Sequence, residues 1–304
     1  MYRKFKKSLE IFRSCFSVFK SNKKLLIFPL FNLLPGLIIL SFFLVPLWET
    51  LTAMVVTGAN GSWSIDFNGD SFLQRIFEIL SNITMIGYIA IYLLMMFVAT
   101  FINVAFYSEL LKAINGQRVF IFRGFKTATK KIKAILLWSL LSGIFGVVIR
   151  LLEEQFDFIG RWIMGLIGFA WSIVTVFAIP VLIREENQSN PLNYLKYSAK
   201  LIKRTWGEGV IGFLAITMFS WLLILACFVT PIILGVGIAA AGFKVGLWVL
   251  MVGLLIAPFL VFVVIYLQSL ITHIFRCTLY VYASEGVVPT AFSEDVLIDS
   301  FKRK

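Results

Sequence analysis

Long runs of apolar residues without charge alternate with short charged segments along this chain. A helix needs roughly 20 apolar residues to cross a bilayer core about 30 Å thick. The runs that approach or exceed this length are residues 25–47, 83–107, 134–149, 162–183, 209–228 and 245–272. The pattern therefore predicts an all-α integral membrane protein, with about six transmembrane helices in a single transmembrane domain over residues 1–304.

The longest stretch, residues 209–272, has Lys244 as its only charged residue. As one helix these 64 residues would be about 96 Å long at 1.5 Å per residue, so the chain must fold back. Pro231 and the glycines up to Gly242 are the natural places for a break. The fifth span is therefore expected to end near Cys227, and residues 231–243 to form either an interfacial loop or a partly re-entrant segment.

Composition supports the membrane assignment. The chain is 60% apolar, 16% aromatic and 14% charged, whereas soluble domains average about 45–50% apolar and about 25% charged. An ordinary soluble enzyme is excluded because this much apolar surface could not be covered. Disorder is excluded by 31 Phe and 8 Trp, and a disulfide scaffold by a content of only three cysteines.

The basic residues are distributed unevenly between the spans. Of the 28 Lys and Arg residues, 24 lie in residues 1–24, 108–133, 184–208 and 273–304, and the other segments hold only four. Since loops retained in the cytoplasm are rich in Lys and Arg, both termini are predicted to be cytoplasmic. The net charge of +12 is then a positive-inside signal, and nucleic acid is not an expected partner.

Three of the basic segments have the apolar spacing of an amphipathic helix: residues 2–20, 122–132 and 191–206. Asn190 and Pro191 are a favourable start for the third. Its predicted apolar face is Leu192, Leu195, Ala199, Ile202 and Trp206, and that of the second is Phe122, Phe125, Ala128 and Ile132. Because each helix precedes two spans, the chain divides into units 1–116, 117–186 and 187–284, either a true repeat or convergent use of one membrane pattern.

Basic amphipathic helices of this kind can bind anionic lipid headgroups or simply cap a bundle at the cytoplasmic interface. Both interpretations are open on the sequence alone. The candidate anionic-lipid contacts are Arg3, Lys4, Lys6, Lys7, Arg13, Lys20, Lys196, Lys200, Lys203 and Arg204.

A search for catalytic and metal-binding patterns finds little. The only histidine, His273, has no second histidine at the spacing of a zinc site, and the chain has no nucleophile elbow, P-loop or dinucleotide fingerprint. Cys15, Cys227 and Cys277 are expected to be buried or interfacial and inert. We therefore expect no enzymatic activity, no cofactor and no metal.

A few polar residues enter the spans toward the predicted cytoplasmic side. They could line a cytoplasm-facing polar vestibule, or they could form interhelical hydrogen bonds worth about 0.6 kcal/mol each that stabilise packing alone. The candidate vestibule residues are Asn32, Asn103, Glu109, Gln268, His273 and Arg276.

Several short strings resemble an uncharacterised family of prokaryotic polytopic membrane proteins, a domain of unknown function. They are Ala170-Trp171-Ser172, residues 177–182, Glu185-Glu186, residues 197–201 and residues 205–208, with residues 8–30 and 279–292 similar to the two ends of the family. The arrangement of Pro180, an acid and a basic helix is more distantly similar to the membrane domain of glycerophosphodiester phosphodiesterases, whose catalytic barrel is absent here. The resemblance implies a six-helix membrane protein and supplies no reaction or substrate.

These observations favour a non-enzymatic accessory or lipid-organising protein in a prokaryotic cytoplasmic membrane. Its expected partners are the lipid bilayer and anionic headgroups, and the sequence leaves a protein partner or homo-oligomer open. The alternative is a small permease or exporter for an apolar or amphiphilic solute, which would use the polar residues within the spans.

Overall fold

The computed structural model describes residues 14–31, 36, 55–57, 63–65, 85–185, 190–243 and 245–289. Residues 14–21 form helix α1, and a 3-10 turn, Lys23–Leu26, leads into α2, Ile27–Phe31. Strands β1, Val55–Thr57, and β2, Trp63–Ile65, pair antiparallel with Val56 opposite Ser64. The remaining helices are α3, Met85–Ala113; α4, Ile121–Lys130; α5, Ile132–Gln155; α6, Phe158–Val174; α7, Ala178–Arg184; α8, Pro191–Ala240; and α9, Val245–Glu285.

Five helical segments in the described ranges are long and apolar enough to cross a membrane. They are Gly87–Ala113, Ile132–Gln155, Ile159–Arg184, Ile216–Ala240 and Val245–Glu285. This confirms the predicted all-α membrane fold. The first predicted span, residues 25–47, falls largely outside the described residues, so the count of six stays a prediction, as does the cytoplasmic position of both termini.

The fourth predicted span, residues 162–183, is interrupted near its end. Helix α6 stops at Val174, a turn covers residues 175–177, and α7 follows. At this break the backbone N–H of Phe177 donates to the buried hydroxyl of Ser198 in α8, at 3.1 Å. This bond attaches the break in the span to the following helix.

Residues 231–240 are helical, which corrects the prediction of a loop or re-entrant segment there and of a fifth span ending at residue 228. Helix α8 continues through Pro231 to Ala240. The proline fits because Gly253 of α9 faces it: a Cβ at Gly253 would lie 2.3 Å from the Cβ of Pro231. Prolines are tolerated in membrane helices where a neighbouring helix accommodates them.

The reversal between α8 and α9 is instead a tight turn around Gly242. The φ of Gly242 is +88°, a left-handed conformation that glycine adopts without steric cost. Its N–H donates to the carbonyl of Ala239 at 3.0 Å, and that of Phe243 donates to the carbonyl of Ile238 at 3.2 Å. These bonds satisfy carbonyls that the end of a helix leaves without partners.

Helix α8 also joins two elements that the sequence pattern separates, the interfacial helix at residues 191–206 and the fifth span. Asn190 is its N-cap and Pro191 its first residue, as predicted, and Oδ1 of Asn190 accepts from the N–H of Leu192 at 3.0 Å. Thr205 has non-helical φ and ψ of −123° and 15°, which kinks the helix between its two parts.

The α8–α9 hairpin packs closely along its inner face and exposes large apolar side chains on its outer face. A Cβ at Gly246 would lie 2.5 Å from the carbonyl oxygen of Gly235, so only a glycine permits this separation of the two helices. Outward, Leu255 is 80% and Trp248 67% exposed. An apolar surface of this extent is suited to lipid.

The buried core lies at the opposite end of this hairpin, where the last residues of α3 and α9 meet α4, α5, α7 and the start of α8. Helix α9 has 41 residues and is about 62 Å long, twice the thickness of a bilayer core. Its residues 270–283, which continue past the predicted end of the last span at residue 272, are mostly buried in this core. The largest fully buried side chains here include Tyr107, Tyr194, Phe28, Phe106, Phe177 and Phe275.

The buried face of α4 matches the predicted one only in part. Ala128 is buried as predicted and Phe125 is half-buried, but Phe122 is 90% and Ile132 46% exposed, and Gly124 is buried in their place. The reason is close backbone packing, because a Cβ at Gly124 would lie 2.6 Å from the carbonyl oxygen of Ala105 in α3. Small residues thus set the separation of the two backbones, and Phe125 packs beside them against Phe101 of α3.

The first part of α8 is likewise rotated from the predicted orientation. Leu192 is 49% exposed, and the buried positions are Tyr194, Ser198, Leu201 and Thr205, together with the predicted Ile202. Polar groups are buried here because they bond to the core, as Ser198 does to Phe177. Hydrophobic spacing alone therefore misplaces this face by about one residue.

Candidate functional site

The most extensive polar cluster in the described residues centres on Glu109, near the end of α3. Its side chain is 0% exposed. Nε and Nη2 of Arg123 in α4 donate to the two carboxylate oxygens at 2.8 and 2.7 Å, and Nζ of Lys112 donates at 3.0 Å. The backbone N–H of Phe120 adds a fourth bond at 2.8 Å. A buried carboxylate with four donors is a fully satisfied structural group.

The chain reaches this geometry through a tight turn after α3. Gly116 has a φ of +75°, and the N–H groups of Gly116 and Gln117 donate to the carbonyls of Ala113 and Lys112 at 3.0 Å. This glycine ending reverses the chain, so that Phe120 and Arg123 come back onto Glu109. The hydrogen bond to Glu109 in turn raises the pKa of the Arg123 guanidinium.

Aromatic contacts extend the cluster toward the start of the described chain. The ring of Phe120 lies under two cations, with its centroid 5.0 Å from Cζ of Arg123 and 5.5 Å from Nζ of Lys24. Phe28 packs against Phe125 of α4 with ring centroids 6.0 Å apart. Helices α2, α3 and α4 thus form one packed unit.

A second polar group links α3 to α9. The hydroxyl of Tyr107 is 2.6 Å from Nδ1 of His273, and Nη1 of Arg276 donates to the same hydroxyl at 3.1 Å. The arginine can only donate to this hydroxyl, whereas the direction of the Tyr107–His273 bond depends on the tautomer of the histidine. Nε of Arg276 is buried and has no hydrogen-bond partner among the described residues.

The structure brings together only part of the predicted vestibule. His273 and Arg276 share Tyr107, whereas Glu109 bonds to Arg123 on another side of α3. Asn103 and Gln268 are half-buried, and Asn32 lies outside the described residues. Glu109 therefore has a packing role, and the remaining polar residues line none of the three cavities described below.

Sequence reasoning missed Arg123 as the partner of Glu109. A usable signal exists, because Glu109 is the only acidic residue among seven basic ones in residues 108–133. A lone carboxylate at the end of an apolar span next to so many cations is expected to pair with one of them. No comparable signal identifies Tyr107 as the partner of His273.

The predicted lipid contacts fall into two groups. Arg3, Lys4, Lys6, Lys7 and Arg13 lie outside the described residues. Lys20, Lys196, Lys200, Lys203 and Arg204 are exposed, as are Lys126, Lys130 and Lys133 on α4 and α5, and none has a hydrogen-bond or ion-pair partner within the described ranges. We call these eight exposed side chains the basic face.

Other cations at the same end make structural contacts. Nζ of Lys131 donates to the carbonyls of Leu182 and Glu185, at 3.2 and 2.6 Å, at the end of α7. Arg184 forms an ion pair with Glu285 at the end of α9. These contacts join the start of α5 to the ends of α7 and α9.

Three cavities lined by described residues lie near the helix ends. One of about 370 Å³ lies between α7 and the start of α8 and is lined by Val181, Glu185, Asn193, Tyr194, Lys196, Tyr197 and Lys200. The others, of about 520 and 470 Å³, lie near Tyr92 and Arg150 and beside Arg161 and Trp162. The first is the one that combines a carboxylate with residues of the basic face.

Cysteine and metal chemistry add little to these sites. Cys15 and Cys277 are buried and Cys227 is half-buried, and burial raises the pKa of the Cys15 thiol. Over the ranges that the structure describes, no three His, Cys, Asp or Glu side chains are grouped in a way that could hold a metal ion.

Comparison with known proteins places the chain in a family. The model of DUF6159, a family of unknown function, matches residues 82–290. The chain therefore belongs to this family, and the resemblance found between residues 170 and 208 lies within the matched range. No curated protein and no solved structure matches the chain. The distant likeness to the membrane domain of glycerophosphodiester phosphodiesterases stays a prediction.

Proposed function

We propose that this member of the DUF6159 family is a non-enzymatic accessory or lipid-organising protein, and that its basic face binds anionic lipid headgroups. The observation that supports this is the division of cations at one end of the bundle. Arg123, Lys131 and Arg184 make contacts within the fold, whereas the basic face is exposed and unpaired among the described residues. Unpaired lysines beside membrane helices attract anionic headgroups by about 1 kcal/mol each.

The membrane proposed for this protein is the cytoplasmic membrane of a prokaryote, with the basic face toward the cytoplasm. Support comes from the positive-inside distribution of Lys and Arg, since 24 of 28 fall in the segments that include this face. The exposed Phe122 on α4 fits the same placement, because an aromatic ring beside lysines is suited to the headgroup region.

Thermal unfolding of the purified full-length protein in detergent tests the proposal. Added phosphatidylglycerol is expected to raise the unfolding midpoint more than phosphatidylcholine does, and high salt is expected to remove the difference. The variant K126Q/K130Q should lose part of the gain, whereas R150Q/R161Q, which removes two cations from the predicted outer segments, should keep it. Equal effects of the two lipids at low salt would contradict the proposal.

A second candidate is the small permease or exporter for an apolar or amphiphilic solute. It is favoured by one observation, the Tyr107–His273 contact beside the buried Nε of Arg276, which has no hydrogen-bond partner in the described ranges. Polar groups within membrane helices commonly mark solute pathways. In proteoliposomes, uptake of an amphiphilic dye that R276Q abolishes without lowering the unfolding midpoint would support this function, and an absence of uptake by the wild type would refute it.

A further inference from the structure

The 370 Å³ cavity between α7 and α8 contains charges of both signs. Lys196 and Lys200 are four residues apart, one turn of the same helix, so their ammonium groups reach one side of the cavity. Neither lysine has a partner in the described part of the chain. The cavity therefore presents two unpaired positive charges close together.

Glu185 supplies the opposite charge. Its backbone carbonyl accepts from Nζ of Lys131 at 2.6 Å, which fixes the end of α7 beside the cavity. Burial raises the pKa of Tyr194, and the nearby Glu185 carboxylate raises it further. Glu185, Asn193 and Tyr194 all line the cavity.

We propose that this cavity binds the headgroup of a phospholipid that has both a phosphate and a primary ammonium group, as phosphatidylethanolamine does. The phosphate would be bound by Lys196 and Lys200, and the ammonium group would donate to Glu185. A headgroup with a phosphate but no amine would place its negative charge near the Glu185 carboxylate, and it has no positive group to offset the repulsion. A trimethylammonium headgroup has no N–H to donate to that carboxylate.

The surroundings of the cavity favour a lipid over a soluble phosphate ester. Leu192 is 49% and Tyr197 42% exposed beside the two lysines, and α8 continues from here into the span that begins at Ile216. Exposed apolar side chains among lysines are typical of helices in the headgroup region. The inference rests on the proposed function in one respect, the placement of this end of the bundle at the membrane surface.

Native mass spectrometry of the full-length protein, with each lipid added in detergent, tests the assignment. The wild type is expected to retain phosphatidylethanolamine above phosphatidylglycerol and phosphatidylcholine. K196Q/K200Q should lower its retention about tenfold or more, which corresponds to the loss of charge-assisted hydrogen bonds. E185Q should bring its retention down to the level of phosphatidylcholine. The matched variant K203Q/R204Q removes two exposed cations of the basic face outside the cavity, so it should weaken retention of phosphatidylglycerol and still retain phosphatidylethanolamine above phosphatidylcholine.

The possible outcomes separate this inference from the proposed function. If phosphatidylglycerol is retained best and all cationic variants weaken it equally, the basic face binds anionic lipid and the cavity assignment is wrong. If no variant changes the retention of any lipid, both proposals fail. If soluble phosphoethanolamine at equal concentration displaces the lipid, the cavity binds a soluble phosphate ester and the assignment of a lipid is wrong. Circular dichroism checks the fold, and single K196Q and K200Q variants replace the double variant if it does not fold.

Discussion

The carboxylate of Glu109 accepts hydrogen bonds from two cationic side chains and one backbone N–H while it is shielded from solvent. Such a group stabilises a fold only while its donors are in place, because a buried charge or donor without a partner costs several times the energy of one hydrogen bond. The side chain of Arg123 is 38% exposed, so part of its charge remains solvated if the carboxylate is lost. The attachment of α4 to α3 therefore depends on Glu109.

Replacement of Glu109 by glutamine is predicted to destabilise the protein by about 1–3 kcal/mol. The amide keeps the shape of the side chain but removes its charge and one acceptor, which leaves Arg123 or Phe120 without a full set of bonds. The matched control is E154Q, which breaks an exposed pair with Arg150 and should cost less than about 1 kcal/mol. Thermal unfolding of both variants in detergent measures the difference. Equal midpoints would contradict the structural role of Glu109.

At this scale the sequence could show which residues carry chemistry, but not which of them meet. It indicated Glu109, His273 and Arg276 as notable polar residues near the ends of spans, and it could not assign Arg123 or Tyr107 as their partners. Arg123 reaches Glu109 only because the turn at Gly116 reverses the chain, and Tyr107 reaches His273 across 166 residues of sequence. Pairing of this kind depends on tertiary packing that spacing does not encode.

Among the elements, the α8–α9 hairpin departs most from what its sequence pattern predicts. Proline and glycine are usual signals of a break, yet Pro231 lies inside α8 because Gly253 leaves room for it. The apolar content of both helices was evident from the sequence, and so was the need to fold back. The predicted break included Gly242 and the last span was predicted to begin at residue 245, as it does, but the break was made too long because its extent depends on how the glycines of one helix face the other.

Substitution of Gly246 by leucine is predicted to force α8 and α9 apart and to lower the unfolding midpoint. A Cβ at this position would lie 2.3 Å from the backbone nitrogen of Ala239, and overpacking of this kind costs about 1–3 kcal/mol or more. The matched control is G237L in the same hairpin, since a Cβ at Gly237 meets nothing within 4 Å. Thermal unfolding in detergent compares the two. A midpoint for G246L no lower than that of G237L would show that this close approach is not required.

The described part of the molecule has an apolar hairpin with an exposed outer face and a packed end that carries the basic face. Helix α9 is about twice as long as a bilayer core is thick, and it ends in a core built with α3, α7 and α8. The contacts of Lys131 and Arg184 tie these helix ends together. The side of the membrane on which the packed end lies then decides which leaflet the basic face can reach.

Single cysteines test that orientation, because a membrane-impermeant maleimide labels only the side to which it is added. K126C and K200C on the basic face are predicted to react only after cells are permeabilised, whereas R161C and F243C should react in intact cells. All four positions are exposed, so differences in labelling reflect sidedness rather than burial. The wild-type chain gives the background, since Cys15 and Cys277 are buried and Cys227 is half-buried. Labelling of K200C in intact cells would reverse the predicted topology and would move the basic face to the outer leaflet.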